Sequence, residues 1–272
     1  MISPLVSQLV DITARAGELV LHSYRTTYEL AYKGPNDPVT SADRAANDLI
    51  CNALAKAFPG WPIVAEESDP KTFERYRDAE NIFFVDPIDG TQEFVDHTDE
   101  FVVMIGLVKR GLAVAGVIHS PVSGKFWAGE LGVGAIRMTR DTEALAIVPS
   151  RVSELSRIHI LVSRAECLDA STGLVRTLGA AALRSLGSAG LKGAMVAEGL
   201  VDAYVAPRHA GKRWDACALD ALVSAAGGCV TDAFGHSIDY CGETLANDQG
   251  MVVSNGVLHV SILERLLGSS LP

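Results

Sequence analysis

The sequence has no basic cluster longer than two or three residues, no Cys-x-x-Cys, no His-x-x-x-His and no apolar run able to cross a bilayer. Each absence closes a class of function. Its charge is acidic, with 33 Asp and Glu against 23 Lys and Arg and a formal net charge of −10, which argues against a nucleic-acid or membrane-surface partner. Such acidity would also repel an anionic substrate, unless the carboxylates gather around divalent cations and invert the local field. The five cysteines, Cys51, Cys167, Cys217, Cys229 and Cys241, are odd in number and unpatterned. Neither a disulfide framework nor a zinc ribbon is expected from them, and a reducing cytoplasm is the expected setting. The longest apolar stretch, 101–108, stops at Lys109-Arg110, so no transmembrane segment is expected, and the N-terminus shows no signal peptide.

What is present suits a folded protein with a sizeable core: 48% hydrophobic and 21% charged residues over 272 positions. Ser3-Pro4 reads as a helix start, and Leu5, Leu9, Ile12, Ala16 and Leu19 recur at helical spacing to about Tyr24. Turn formers over 33–38 break that helix, and Thr40 opens a second one that ends near Pro59-Gly60. Short apolar runs over 62–65 and 82–85 read as strands, and the polar stretch 69–80 reads as a mobile loop. Segments 101–108, 113–119 and 125–129 read as an antiparallel meander. Beyond 150, strands at 158–162, 183–186, 202–205 and 229–231 alternate with helices at 171–181, 191–198 and 215–226, which predicts layered α/β packing. Pro149-Ser150 is the best break, dividing an N-terminal α+β half (1–150) from a C-terminal α/β half (151–272).

The chemistry concentrates in Val85-Asp86-Pro87-Ile88-Asp89-Gly90-Thr91. Two carboxylates leave a buried apolar run three residues apart, and Gly-Thr then leads into a helix N-terminus. Such a segment suits cations at Asp86 and Asp89 and a phosphate at Gly90 and Thr91, whereas two aspartates flush against an apolar strand are unusual for a plain turn. Glu66-Glu67 ends another apolar run and reads equally as a solvated edge or as cation ligands. By spacing alone, Asp43 is a capping-box partner of Thr40 and Asp215 an N-cap. Gly187-Ser188-Ala189-Gly190, before the helix bearing Lys192, is a small-residue turn of the kind that holds phosphate.

Asp37-Pro38-Val39-Thr40-x-x-Asp43, Ala65-Glu66-Glu67-Ser68, Asp86-Pro87-Ile88-Asp89-Gly90-Thr91 and Trp214-Asp215 resemble, in that order, the signature of the inositol monophosphatase superfamily. The resemblance runs to about Tyr240 and implies a layered αβαβα sandwich of the inositol monophosphatase / fructose-1,6-bisphosphatase type. Gln92-Glu93-Phe94, Ser163-Arg164, Gly187 to Lys192 and Lys212 to Ala218 are most similar to segments of 3′(2′),5′-bisphosphate nucleotidases. Glu166 departs from them, standing where those enzymes often place a substrate-binding histidine.

The resemblance overrides the capping readings and implies a set of roles. Glu66, Asp86, Asp89, Asp215 and the Ile88 carbonyl hold two or three Mg²⁺, with inhibition by Li⁺. Asp43 and Thr91 orient and deprotonate the attacking water. Gly90 and Thr91 amides, Ser188, Lys192 and Asp215 meet the substrate, a small phosphorylated metabolite. A homodimer is a further expectation. The implied activity is 3′(2′),5′-bisphosphate nucleotidase, with an inositol monophosphatase, an inositol polyphosphate 1-phosphatase, a sugar bisphosphatase and a non-catalytic binding protein as alternatives on the same scaffold. Haloacid-dehalogenase phosphatases also end a strand with Asp…Asp-Gly-Thr, but they space the aspartates by two, so the spacing of three disfavours a phosphoaspartyl route.

Overall fold

The computed structural model describes residues 3–35, 37–164 and 168–268. Glu166 and Cys167 therefore lie outside the described residues, as does Asn36. Helix α1 (Pro4–Arg25) starts as its sequence predicts, with Ser3 as N-cap accepting from the Val6 amide at 3.2 Å. The turn-rich stretch before Thr40 does more than break the chain: β1 (Leu30–Gly34) and β2 (Asp37–Thr40) pair there as an antiparallel hairpin. Thr40 caps α2 (Ser41–Ala57).

A seven-stranded sheet follows. Its members are β3 (Ile63–Ala65), β4 (Asn81–Asp89), β5 (Val102–Lys109), β6 (Leu112–Ser120), β7 (Lys125–Glu130), β8 (Gly134–Thr139) and β9 (Thr142–Ala146), hydrogen-bonded in chain order. Only β3–β4 is parallel, and a one-turn helix, α3 (Thr91–Val95), sits between β4 and β5. The expected meander is present and extends by two strands. Every residue of β9 is exposed, so it carries no buried apolar alternation by which its sequence could announce it. Residues 69–80 do not form the expected mobile loop. They form two short 3₁₀ turns, Pro70–Phe73 and Tyr76–Asp78, pinned by the buried rings of Phe73 and Tyr76.

The second sheet comprises β10 (His159–Ser163), β11 (Ala182–Leu186), β12 (Ala203–Ala206), β13 (Cys229–Thr231) and β14 (Met251–Ser254), in the order β11-β10-β12-β14-β13. Helices α4 (Leu168–Leu178), α5 (Ala189–Ala197), α6 (Arg213–Ala226) and α7 (His259–Leu267) complete the chain. The expected layering follows from the packing. Helices α1 and α2 cover one face of the large sheet, α5 and α6 lie between the sheets, and α4 and α7 cover the far face of the second sheet. The result is αβαβα with three apolar clusters, one at each outer interface and one spanning both faces of the central helix layer. No helix among the described residues is long and apolar enough to cross a membrane.

One device seats α6. Gly106, Gly116 and Gly129 lie in register across β5, β6 and β7 and form a groove without side chains. A Cβ on Gly106 would stand 2.7 Å from the Ala218 amide nitrogen, and one on Gly129 would stand 2.7 Å from Leu222 Cα; one on Gly116 would overlap the Ala218 carbonyl. The helix backbone thus rests almost directly on the sheet, and Gly227 ends it in a left-handed C-cap (φ 99°). The sign of one substitution tests this packing. Gly116→Ala would stabilise by ~0.5 kcal/mol if only backbone entropy mattered. Steric overlap with α6 predicts instead a loss of about 1–3 kcal/mol by chemical denaturation, and a gain in stability would contradict the groove.

Candidate active site

The spacing Asp86-x-x-Asp89 would put the two carboxylates on opposite faces of a regular strand. The strand is not regular. Asp86 pairs with Met104 and Asp89 with Val102, so three steps on β4 match two on β5. This bulge turns both carboxylates to one side. Pro87 suits it, having no amide hydrogen to lose from the ladder. The Ile88 amide donates to Asp86 Oδ1 at 3.0 Å, and Gly90, at φ 100°, turns the chain from β4 into α3.

Asp215 arrives on α6. It occupies the third position of that helix rather than the expected N-cap, and its Oδ2 accepts from the Lys212 amide at 2.6 Å. Asp86, Asp89 and Asp215 each offer an oxygen within 4.8 Å of the others. Asp89 is bound most heavily: Ser188 Oγ and the Gly190 amide donate to its Oδ2 at 2.5 and 2.6 Å, and the Ala189 amide donates to its Oδ1 at 3.1 Å.

Glu66 stands beside this triad, outside the group that meets within 4.8 Å. Lys33, to which the sequence reading assigned no role, reaches across from β1 to place Nζ 2.7 Å from both Glu66 Oε1 and Glu67 Oε1. Burial opposes the charge on Lys33, yet the two glutamates outweigh it and raise its pKa. No spacing rule links Lys33 to Glu66; only the hairpin brings them together.

Asp43 carries both of its readings at once. Its Oδ2 accepts from the Thr40 amide at 2.7 Å and from Thr40 Oγ1 at 2.5 Å, closing the capping box. Its Oδ1 lies 3.0 Å from Thr91 Oγ1, which is also 3.1 Å from the Ile88 carbonyl. The buried Asp43 carboxyl is raised above its ordinary value, chiefly by desolvation.

A cavity of about 590 Å³ opens onto Asp89, Gly90 and Asp215, a size suited to a small-molecule ligand. Ser188, Arg164, Tyr204 and His209 line it farther out. Lys192 also faces it but is buried, with Nζ donating to the Leu186 carbonyl at 3.2 Å and to the Gly187 carbonyl, over the Tyr204 ring. Burial lowers its pKa to about 8.

The donor set answers which cofactor fits. Carboxylate and carbonyl oxygens are hard ligands of the type Mg²⁺ and Mn²⁺ take, and no cysteine or histidine belongs to the cluster. Without a cation the cluster resists ionising. Desolvation first, then the charges of Glu66, Asp89 and Asp215, hold Asp86 well above its usual range. Burial, then Asp89 and Glu66, push Asp215 up to about 8.

These observations and sequence comparison agree: the chain belongs to the inositol monophosphatase family, whose profile matches residues 1–269. That family consists of metal-dependent phosphatases, and the chain is accordingly a phosphoric monoester hydrolase. Over 247 residues it is 33% identical to a 3′(2′),5′-bisphosphate nucleotidase CysQ of Salmonella typhimurium, covering 87% of this chain and 94% of the relative. An inositol-1-monophosphatase of Mesorhizobium japonicum is 30% identical, with 96% of each chain covered. Among solved structures, an IMPase of Thermotoga maritima superposes with a TM-score of 0.82 at 26% identity, over 98% of both chains.

The raised carboxyls predict a pH signature. A folded-state pKa of about 8 against an ordinary 3.8 means that native Asp215 prefers to keep its proton. Below about pH 4 both the native and the unfolded carboxyl hold the proton and stability is unaffected; as pH rises towards 8 the unfolded carboxyl ionises while the native one does not, and stability is lost progressively. The thermal midpoint in chelator should therefore fall between about pH 5 and pH 8, and saturating Mg²⁺ should abolish the fall. A chelated protein that gains stability over that range would contradict this electrostatic account.

Proposed function

We propose that this protein is a Mg²⁺-dependent 3′(2′),5′-bisphosphate nucleotidase that converts adenosine 3′,5′-bisphosphate to AMP and phosphate. The observation that carries the reading is the Asp43–Thr91 pair set beside the carboxylate triad of buried Asp86 and Asp89 and half-buried Asp215 at the mouth of a large cavity. The likeness to CysQ nucleotidases over most of the chain supports the choice of substrate.

In this proposal Asp86, Asp89, Asp215, Glu66 and the Ile88 carbonyl hold two or three Mg²⁺. When bound, the cations supply positive charge that neutralises the phosphate and acidifies water. Thr91 and Asp43 orient the attacking water, and Asp43 accepts its proton; burial, which raises the Asp43 carboxyl, makes its ionised form a stronger base than an ordinary carboxylate. The water oxygen bonds to phosphorus as the ester P–O bond breaks, and the freed 3′-oxygen leaves as a hydroxyl by taking a proton from solvent water, to which Asp43 in turn returns the proton it accepted. The Gly90 and Thr91 amides would donate to the charge that develops on the phosphate. Ser188 faces the nucleoside portion, with Lys192 beneath it. A cation held by Glu66 Oε1 would take the place Lys33 Nζ occupies there. We place the enzyme in the cytoplasm as a homodimer, on the family likeness and on the unpaired state of the four described cysteines.

The likeness to an inositol-1-monophosphatase supports a second reading, that the substrate is an inositol phosphate. Phosphate release from adenosine 3′,5′-bisphosphate and from inositol 1-phosphate, measured side by side with Mg²⁺ and with added Li⁺, separates the two. The nucleotide should be the faster substrate and Li⁺ should inhibit; a wide margin for inositol 1-phosphate would overturn the nucleotidase reading. Asp89→Asn should lower turnover at least about 100-fold at unchanged fold, since it removes a charge that holds the cation. Near-normal turnover by that variant would remove Asp89 from the site.

A further inference from the structure

One cluster of charge beside the cavity has no part in the chemistry above. Arg164, just past β10, forms an ion pair through Nη2 with Glu100 Oε2, and its Nε lies 3.4 Å from Glu93 Oε1. The same Glu100 oxygen accepts from the Gly187 amide at 3.1 Å, and the Arg164 amide donates to the Leu186 carbonyl at 3.1 Å. From the other side Lys192 Nζ donates to the Leu186 and Gly187 carbonyls. A Cβ on Gly187 would overlap the Glu93 side chain, so that residue sits hard against α3. The segment is thus held from two sides at 186–187. The next three residues, Ser188, Ala189 and Gly190, deliver the three donors received by Asp89.

Glu100 is aimed at this segment by an unusual turn. His97 (φ 52°) and Asp99 (φ 65°) both adopt the left-handed region without being glycine, a conformation that His and Asp take more readily than most residues. Contacts with α1 hold the turn. Tyr24 OH donates to Asp99 Oδ1 at 2.7 Å, and its ring packs against Phe101 with centroids 4.8 Å apart.

We propose that Glu100, paired with Arg164, is a positioning residue of the metal site: it fixes the 187–190 segment, whose donors orient the Asp89 carboxylate. The inference rests on Asp89 being a cation ligand, as in the proposed function, but does not depend on the substrate. Asp89 and Glu100 come from the first half of the chain and Arg164 and Ser188 from the second, so the cluster also ties the two halves together at the site.

Calorimetric titration of the metal-free protein with Mn²⁺ tests this directly. E100Q keeps an acceptor for the Gly187 amide and loses the charge facing Arg164. Removing an outer partner of a metal ligand typically weakens affinity 10–100-fold, so E100Q and R164M should each raise the Mn²⁺ Kd about tenfold. The thermal midpoint in chelator should fall only slightly, since Arg164 in this pair is exposed to solvent. The double variant should be no weaker than either single one, because both act through one interaction. S188A, which removes a donor from Asp89 itself, should show a comparable loss. Parent-like Mn²⁺ affinity in E100Q, R164M or S188A would overturn the proposal, as would a parent protein that binds no Mn²⁺. If instead every substrate fails while these affinities shift as stated, the fault lies with the nucleotidase reading and the positioning role stands.

Discussion

Like charges crowded out of water are the constraint around which this molecule is built. Ionised carboxylates 4.8 Å apart repel by about 3 kcal/mol per pair at a typical effective dielectric, and Asp86, Asp89 and Asp215 form three such pairs. The protein offsets the strain with backbone amides. Asp43 closes the capping box of α2, Asp89 accepts from the first residues of α5, and Asp215 closes the start of α6. Three helix N-termini, each with a partial positive charge, therefore converge on the acids. They steady the carboxylates and fix their directions but do not neutralise them, which leaves the site hungry for a divalent cation.

Bringing those termini together requires the sheet and the helix layer to approach closely. The glycine groove over β5, β6 and β7 lets α6 settle onto the strands, and that contact sets how near Asp215 stands to the bulge in β4. Sheet packing and site chemistry are thus one problem. A side chain in the groove would lift the helix and move a carboxylate at its far end.

Much of this was legible from the sequence, because motifs with a fixed internal spacing report on local structure. Asp86-x-x-Asp89-Gly-Thr, Thr40-x-x-Asp43 and Trp214-Asp215 revealed the acids, and apolar periodicity revealed most helices and strands. Local spacing alone reads Asp43 as a cap and nothing more. The capping reading is correct as geometry, yet the second oxygen of the same carboxylate faces Thr91, 48 residues away. What stayed hidden depends on pairing between distant segments. The bulge is visible only against β5, and the groove only once Gly106, Gly116 and Gly129 are in register. Lys33 meets Glu66 through a hairpin that reads in sequence as a breaker, and the buried rings of Phe73 and Tyr76 anchor a stretch that reads as a loop.

The central claim is that the Asp86–Asp89–Asp215 triad exists to hold a divalent cation. Anomalous scattering from crystals soaked in Mn²⁺ tests it most directly. The account predicts a peak enclosed by Asp86, Asp89 and Asp215, with carboxylate oxygens at roughly 2.1 Å, as hard cations of this size require. Well-ordered crystals at saturating Mn²⁺ with no peak between those three side chains would contradict it.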